Sequence, residues 1–457
     1  MRNYNLSRNM CEWDELDHWR TKIRTLLASG EAGRVPPFLL LALPGISAAE
    51  QRACSELWLQ TRIREAAAAE PVLPFEFVPH TRPRLRIAYL SSDFHEHATS
   101  LLLIELFEAH DRERFELFAY SYGGDDGKYM RTRLEGCFDH FIDIRAMSNA
   151  EAARSIHADG IDILIDLKGY TQGTRTAILA LRPAPVQVNY LGYPGTLGAG
   201  LCDYIITDAY LTPPESAADF SEALACLPHS YQPHGRHSFI ASPPTRTEAG
   251  LPQEGFVFCC FNQAYKITPE VFNVWCRLLT DCPNSVLWLL HDNHAEGSLR
   301  NHALQRGVAP ERLIFAAHLG QRAHLARLQC ADLILDTQPY NAHTTASDAL
   351  WVGVPVLTCA GNTFASRVAG SLLTAIGMEA LITTDLDAYY ALARELAESP
   401  ATLRALRDKL GRNRLSSALF DIEAYAGHLE QLYLTMWQAH CEGRAPEAIH
   451  IPPAQSG

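Results

Sequence analysis

Phe256-Val257-Phe258-Cys259-Cys260-Phe261-Asn262-Gln263-Ala264-Tyr265-Lys266-Ile267-Thr268-Pro269 decides the architecture. The unbroken apolar run 256–261 fits a strand covered on both faces. A short turn follows, and Thr268-Pro269 then opens a helix, with the hydroxyl as cap and the proline at the first helical position. Strand, turn and helix in succession form the repeating unit of a parallel sheet.

The same alternation continues downstream, with apolar runs at 286–290, 313–315, 333–336 and 356–358. Upstream it appears at 85–90, 115–120, 163–167, 186–190 and 204–207, with amphipathic stretches such as 150–158 between them. Pro, His, Ser, Thr and Gly crowd residues 228–252, a linker signal that separates the two series. The reading is an α/β protein of two doubly wound Rossmann-like domains, at 81–235 and 253–457, joined by a linker at 236–252. Residues 1–80 form a short helical segment, with Trp13, Leu16, Trp19, Ile23, Leu26 and Leu27 on one face and a second helix at 48–69. A period near 34 residues gives no clean self-match, so any tetratricopeptide character is a remnant. A closing helix bearing Tyr425, Leu429, Leu432, Tyr433, Met436 and Trp437 is expected in the second domain.

Composition narrows the function. With 39 basic against 52 acidic residues the formal charge is −13, which argues against nucleic-acid or anionic-membrane partners. An anionic ligand must then be held by a local cluster. The twelve cysteines are scattered without a Cys-x-x-Cys pair, so reduced thiols and a cytoplasmic location are expected. Met1 to Arg20 has no apolar core of the signal-peptide kind, and the longest apolar stretch, 38–43, is far short of the roughly 20 residues of a spanning helix.

Three clusters carry candidate chemistry. In Asp336-Thr337-Gln338-Pro339-Tyr340-Asn341-Ala342-His343-Thr344-Thr345-Ala346-Ser347-Asp348 a strand ends and a helix is expected to begin near His343 to Thr345. A helix start offers free amides and a positive dipole end, and two threonine hydroxyls add donors, a combination suited to a diphosphate. Asp348, a turn later, suits ribose hydroxyls, although a threonine there also serves as a plain N-cap. Lys266, in the turn after its strand, is either a phosphate-binding point charge or a solvated lysine. The third cluster, Ser91-Ser92-Asp93-Phe94-His95-Glu96-His97, places His97 where the first sheet opens. Alternate histidines on a turn make poor metal ligands, so no metal is assigned. The glycine-rich phosphate loop, the Gly-x-Gly-x-x-Gly fingerprint and the Gly-x-Ser-x-Gly elbow are all absent. Asp385-Leu386-Asp387 reads as a helix cap.

These clusters, with Ile156-His157-Ala158-Asp159-Gly160-Ile161, Arg182-Pro183-Ala184-Pro185-Val186-Gln187, Leu191-Gly192-Tyr193-Pro194-Gly195-Thr196, Asp203-Tyr204-Ile205-Ile206-Thr207-Asp208 and Ala365-Ser366-Arg367-Val368-Ala369, resemble the catalytic region of the O-GlcNAc transferase and SPINDLY-like glycosyltransferases, most of all bacterial members. The resemblance covers roughly 84–440 and implies a GT-B enzyme whose two domains face a cleft. Such an enzyme inverts the anomeric centre, needs neither metal nor cofactor, and moves N-acetylglucosamine from UDP-GlcNAc to Ser or Thr hydroxyls of proteins. By position it assigns Lys266 to the diphosphate with Gln263 nearby, His343, Thr344 and Thr345 to the phosphate-binding helix start, and Asp348 to the ribose. His324, in the stretch opening at Leu319, is placed near the uracil, and Gly192, Pro194, Tyr265 and Tyr340 near the sugar. His97 and His157 are placed near the reacting centre as general-base candidates.

The sequence departs from that pattern at four places. Leu101 stands where a second histidine is frequent, and Arg154 where an aspartate is common. Tyr340 replaces a cysteine and Gln321 a lysine of the animal members. A phenol at the sugar pocket keeps glucose or fucose open as donor sugars. A sugar-nucleotide epimerase and a non-enzymatic sugar-nucleotide binder are more distant alternatives. Acceptor recognition and oligomeric state are left open.

Overall fold

In a computed structural model, which describes residues 2–69, 74–77, 80, 82–236 and 240–453, the two series of apolar runs form two sheets. The first holds β1 (Leu85–Ser91), β2 (Phe115–Ser121), β3 (His140–Asp143), β4 (Ile163–Asp166), β5 (Val186–Asn189), β6 (Tyr204–Asp208) and β7 (Ala223–Leu227). The second holds β8 (Phe256–Cys260), β9 (Ser285–Leu290), β10 (Leu313–Ala316), β11 (Leu333–Leu335), β12 (Val356–Cys359) and β13 (Ile382–Thr383). β14 (Ile449–His450) pairs with β7. Every ladder is parallel, with register such as Ile87↔Ile163 and Phe258↔Leu287.

Both sheets wind in the same way. The first runs β14-β7-β6-β5-β4-β1-β2-β3 and the second β10-β9-β8-β11-β12-β13, so in each the first strand lies beside the fourth. The chain reverses direction there, between β1 and β4 and between β8 and β11. Helices leave these neighbours on opposite sides, opening a crevice beyond the strands' carboxyl ends. The side chains of β4, β5, β6 and β12 are buried along their whole length, as parallel strands covered on both faces require.

Helix starts follow the sequence closely. Thr268 caps the helix Pro269–Asp281 by accepting from Val271 N, with the proline in the first turn. Asp385 accepts from Ala388 N and caps Leu386–Glu398. Ser47 and Glu50 form a reciprocal capping box on Ala48–Trp58, and the expected helix 48–69 continues through the wider turn Leu59–Ile63 into Arg64–Ala68.

The chain divides into two units, one of Met1–Lys22, Leu41–Ile46 and Arg236–Phe420, the other of Ile23–Leu40, Ser47–Gly235 and Asp421–Gly457. Two expectations change. The closing helix, Ile422–Cys441, belongs with the first sheet and not the second. Its stripe carries polar tips whose partners are there: Tyr425 OH lies 2.6 Å from Tyr190 OH, Tyr433 OH 3.2 Å from Tyr89 OH, and Glu430 accepts from His110 at 2.9 Å. Periodicity showed that the stripe is buried but not which face receives it. The N-terminal segment, expected as a separate block over 1–80, is shared out. Its first 22 residues group with the second sheet, where Trp13 stacks on His302 at 4.4 Å and Cys11 Sγ donates to Ala264 O at 3.4 Å.

Candidate active site

The second sheet's crevice gathers most of the residues singled out in the sequence. β8 ends at Cys260, and the tight turn Ala264–Lys266 buries Lys266. Its Nζ donates to Asn341 O at 2.8 Å and lies 3.8 Å from the centroid of the Tyr340 ring. Burial pushes the ammonium down to about 8, while Asp336 pulls it up. Asp336, just past β11, organises the floor of the crevice. Its carboxylate accepts from the amides of Thr337 (2.7 Å) and Ala342 (2.6 Å), from Asn262 Nδ2 (3.3 Å) and from Thr358 Oγ1 (2.6 Å). Burial still pushes this carboxyl up to about 6. The 337–342 loop is therefore wrapped around one carboxylate, which delivers His343 to the start of the helix Thr344–Trp351.

The first amides of that helix have no partner within it, so they and the dipole end face the crevice that also holds Lys266. Burial keeps the His343 ring well below its ordinary range, and Lys266 lowers it further, so the ring is neutral. Asp348 is buried one turn in. A small cavity lined by Phe261, Asn262, His324, Leu328, Ala342 and Thr345 adjoins the helix start. His324 lies 5.4 Å from the Phe261 ring, and its Nδ1 accepts from Arg327 at 3.1 Å. Burial pushes His324 down to about 4, giving a neutral face for a heterocycle. Gln263 and Leu319 are exposed, whereas Tyr340 is buried beneath Lys266.

The first sheet's crevice holds the other group. Asp93, after β1, and Lys168, after β4, form a buried ion pair with Nζ 3.0 and 2.9 Å from the two carboxylate oxygens. Asp166 accepts the amides of Gly169 (2.7 Å) and Lys168 (3.3 Å), and burial pushes it up to about 6. His97 caps the helix Ala98–Ala109, its Nδ1 accepting from Thr99 N at 3.2 Å and lying 3.5 Å from Asp93 Oδ2. The protein packed around the imidazole holds it below its ordinary value. Gly192 and Pro194 lie in the loop after β5. A Cβ on Gly192 would come 1.9 Å from Leu167 O, so only glycine lets the two loops touch.

His157 is not brought to this place. It sits in the last turn of Asn149–Ala158, which leads into the amino end of β4, whereas His97 follows the carboxyl end of β1. The seven-residue strand β1 separates those edges by roughly 20 Å at about 3.3 Å per residue. There His157 stacks on Phe75 at 4.5 Å and meets the edge of Phe77 at 5.5 Å. Sequence reasoning missed Asp93, Lys168, Asn262 and the bracing role of Asp336, although each stands at the carboxyl end of a strand bordering a switch point, which is the signal that finds them.

Two sheets of identical winding, one with a lysine and a helix start at its switch point, define the GT-B class of fold. The chain belongs to Glycosyl transferase family 41, whose sequence profile matches residues 69–242 and 235–429. It is 42% identical over 376 residues to the probable UDP-N-acetylglucosamine–peptide N-acetylglucosaminyltransferase SEC of Arabidopsis thaliana, covering 80% of this chain and 38% of that protein. It is 32% identical over 474 residues to the UDP-N-acetylglucosamine–peptide N-acetylglucosaminyltransferase of Caenorhabditis elegans, covering 79% and 41%. The chain thus spans about two fifths of the length of these curated relatives. The structure of Thermobaculum terrenum O-GlcNAc transferase aligns with a TM-score of 0.75 and 30% identity, over 92% of this chain and 83% of that one. Among the described residues no helix is long and apolar enough to cross a membrane.

Proposed function

We propose that this chain is an inverting, metal-independent glycosyltransferase that moves N-acetylglucosamine from UDP-GlcNAc to Ser and Thr hydroxyls of proteins in the cytoplasm. The observation that carries the reading is Lys266, buried beside the helix start at His343–Thr345. Breaking the bond between C1 and the phosphate oxygen leaves UDP, and stabilising that developing charge is the largest catalytic demand. Lys266 and the amides of Thr344 and Thr345 supply the stabilisation, Asp348 takes the ribose, and His324 with Phe261 frames the uracil. The names of the family relatives support the donor and the acceptor class.

As the acceptor oxygen attacks C1 and the bond from C1 to the phosphate oxygen breaks, the hydroxyl proton leaves late, to the departing phosphate oxygen or to solvent water. Because Nδ1 of His97 accepts the Thr99 amide, the neutral ring carries its hydrogen on Nε2 and orients groups as a donor. Asp93, the nearest carboxylate, is already held through both oxygens by Lys168. His157, at the far edge of its sheet, takes no part. Tyr340, filling the space beneath Lys266, favours a second reading in which a related nucleotide sugar is the donor.

The test is to incubate the protein in EDTA with a panel of nucleotide sugars and candidate acceptor proteins, and to locate mass shifts by peptide mass spectrometry. An N-acetylhexosamine shift on Ser or Thr is expected from UDP-GlcNAc alone. A hexose or deoxyhexose shift would transfer the reading to the second donor class, and an altered free UDP-sugar with unmodified acceptors would make the protein an epimerase.

A further inference from the structure

The helix Arg2–Asn9 buries an arginine beside the turn that carries Lys266. Arg8 is 8% exposed, and its guanidinium carbon lies 4.8 Å from the centroid of the Tyr265 ring. Tyr265 is tilted against Tyr340 with centroids 6.2 Å apart, and Tyr340 in turn underlies Lys266 Nζ at 3.8 Å. Two cations therefore flank two rings in series: Arg8, Tyr265, Tyr340, Lys266. A second tie fixes the same turn, since Cys11 Sγ donates to the carbonyl of Ala264 at 3.4 Å. The end of this helix is thus fastened to both residues that precede Lys266, and all the groups belong to one unit of the chain.

We propose that Arg8 is a positioning residue of the donor site, acting through Tyr265: its guanidinium clamps the tyrosine ring and so fixes the turn that holds Lys266 at the diphosphate. The inference rests on the donor reading above and adds to it that the helix ahead of the two sheets is part of the nucleotide-sugar machinery. A cation over a tyrosine face is attracted by the ring's quadrupole, and the attraction grows as the partners lose water; here Arg8 is buried and Tyr265 half-buried. Arginine suits the position better than lysine because its flat guanidinium stacks on the ring. Any event that shifts the N-terminal helix would then reach donor affinity without touching the nucleotide.

The experiment titrates UDP and uridine into the full chain, Arg8→Met and Arg8→Lys, and measures KM for the donor and kcat. Arg8→Met is expected to weaken UDP by about tenfold, the scale of a desolvated cation–ring contact, and to leave uridine unchanged. KM for the donor rises in step while kcat moves less than about threefold, and Arg8→Lys recovers most of the loss. Tyr265→Leu provides a second route if Arg8→Met does not fold: it is expected to lose UDP selectively, and the double variant to bind no worse than the weaker single one. Arg8→Met with parental UDP affinity, equal loss of UDP and uridine, or additive losses in the double variant would overturn the inference. A parent chain that binds UDP no more tightly than uridine overturns the donor reading, and this inference with it.

Discussion

Thr345 donates its hydroxyl to Asn262 Oδ1, 2.6 Å away, tying the start of the helix Thr344–Trp351 to the residue that leaves β8. That bond spends the one hydrogen of the side chain and leaves only lone pairs, which an anion does not want. The side chain thus braces the crevice, and in the proposed donor site only the backbone amide of Thr345 is left to meet the diphosphate. Thr345→Val is expected to lower stability by about 1–2 kcal/mol in denaturant titration, leaving Asn262 short of a donor, and to weaken UDP less than any change at Lys266.

Lys266→Met separates the site's function from its stability. A buried ammonium held by one carbonyl and one ring face carries a desolvation cost that methionine does not. The variant is expected to melt at the parental temperature or above it, by calorimetry, while transfer falls at least about a hundredfold, the scale seen when one preorganised charge-stabilising group is removed. Unchanged transfer would remove the diphosphate role.

The depressed Lys266 titration gives two opposed pH trends. If the ammonium holds the diphosphate as proposed, UDP affinity is expected to fall as pH rises through about 8. Stability moves the other way. A lysine harder to protonate folded than unfolded, where its value is about 10.4, lets the unfolded chain bind more protons between those limits. Relative to Lys266→Met, the parent is expected to gain stability across that window, as paired denaturant titrations at stepped pH will show.

His97→Asn keeps an N-cap acceptor on the helix Ala98–Ala109 and removes the ring. Melting temperature is expected to stay close to the parent's while kcat drops by about 10²–10³, the scale seen when one preorganised hydrogen-bond donor is lost. His157→Asn, at the opposite edge of the sheet, is expected to leave kcat within about threefold. A matching loss at both positions would contradict the placement of His157 away from the chemistry.

The closing helix makes a stability prediction. Glu430 is buried and accepts both His110 Nδ1 (2.9 Å) and the Asp111 amide (2.8 Å). Glu430→Ala leaves the buried His110 ring and the half-buried Asp111 amide without their acceptor and is expected to cost about 2–4 kcal/mol by denaturant titration, with UDP affinity unchanged.

Elements set by local chemistry were legible before the structure. Short, mainly apolar runs announced the strands from 85–90 to 356–358, and Thr268-Pro269 and Asp385 announced their helix starts through caps that need only neighbouring residues. Strands β3, β7, β13 and β14 were not among the expected runs: β3 because its side chains are half-exposed or exposed, β13 and β14 because they are two residues long, while β7 was passed over although its side chains are mostly buried. What the sequence withheld was partnership across long separations. The stripe of Ile422–Cys441 reads as buried whichever sheet receives it, and its distant partners Tyr89, Tyr190 and His110 show which one does. His157 matches a family motif, yet its place before β4 instead of after it follows from the direction of the helix. Likewise Asp93 with Lys168, and Arg8 with Tyr265, are pairs that no local spacing announces.

One structure tests the central claim most directly: crystals of the protein grown with UDP in the presence of EDTA. The account predicts the diphosphate within hydrogen-bonding distance of Lys266 Nζ and of the amides of Thr344 and Thr345, with the ribose at Asp348. A diphosphate bound elsewhere, or UDP that enters only when a divalent ion is supplied, would contradict it.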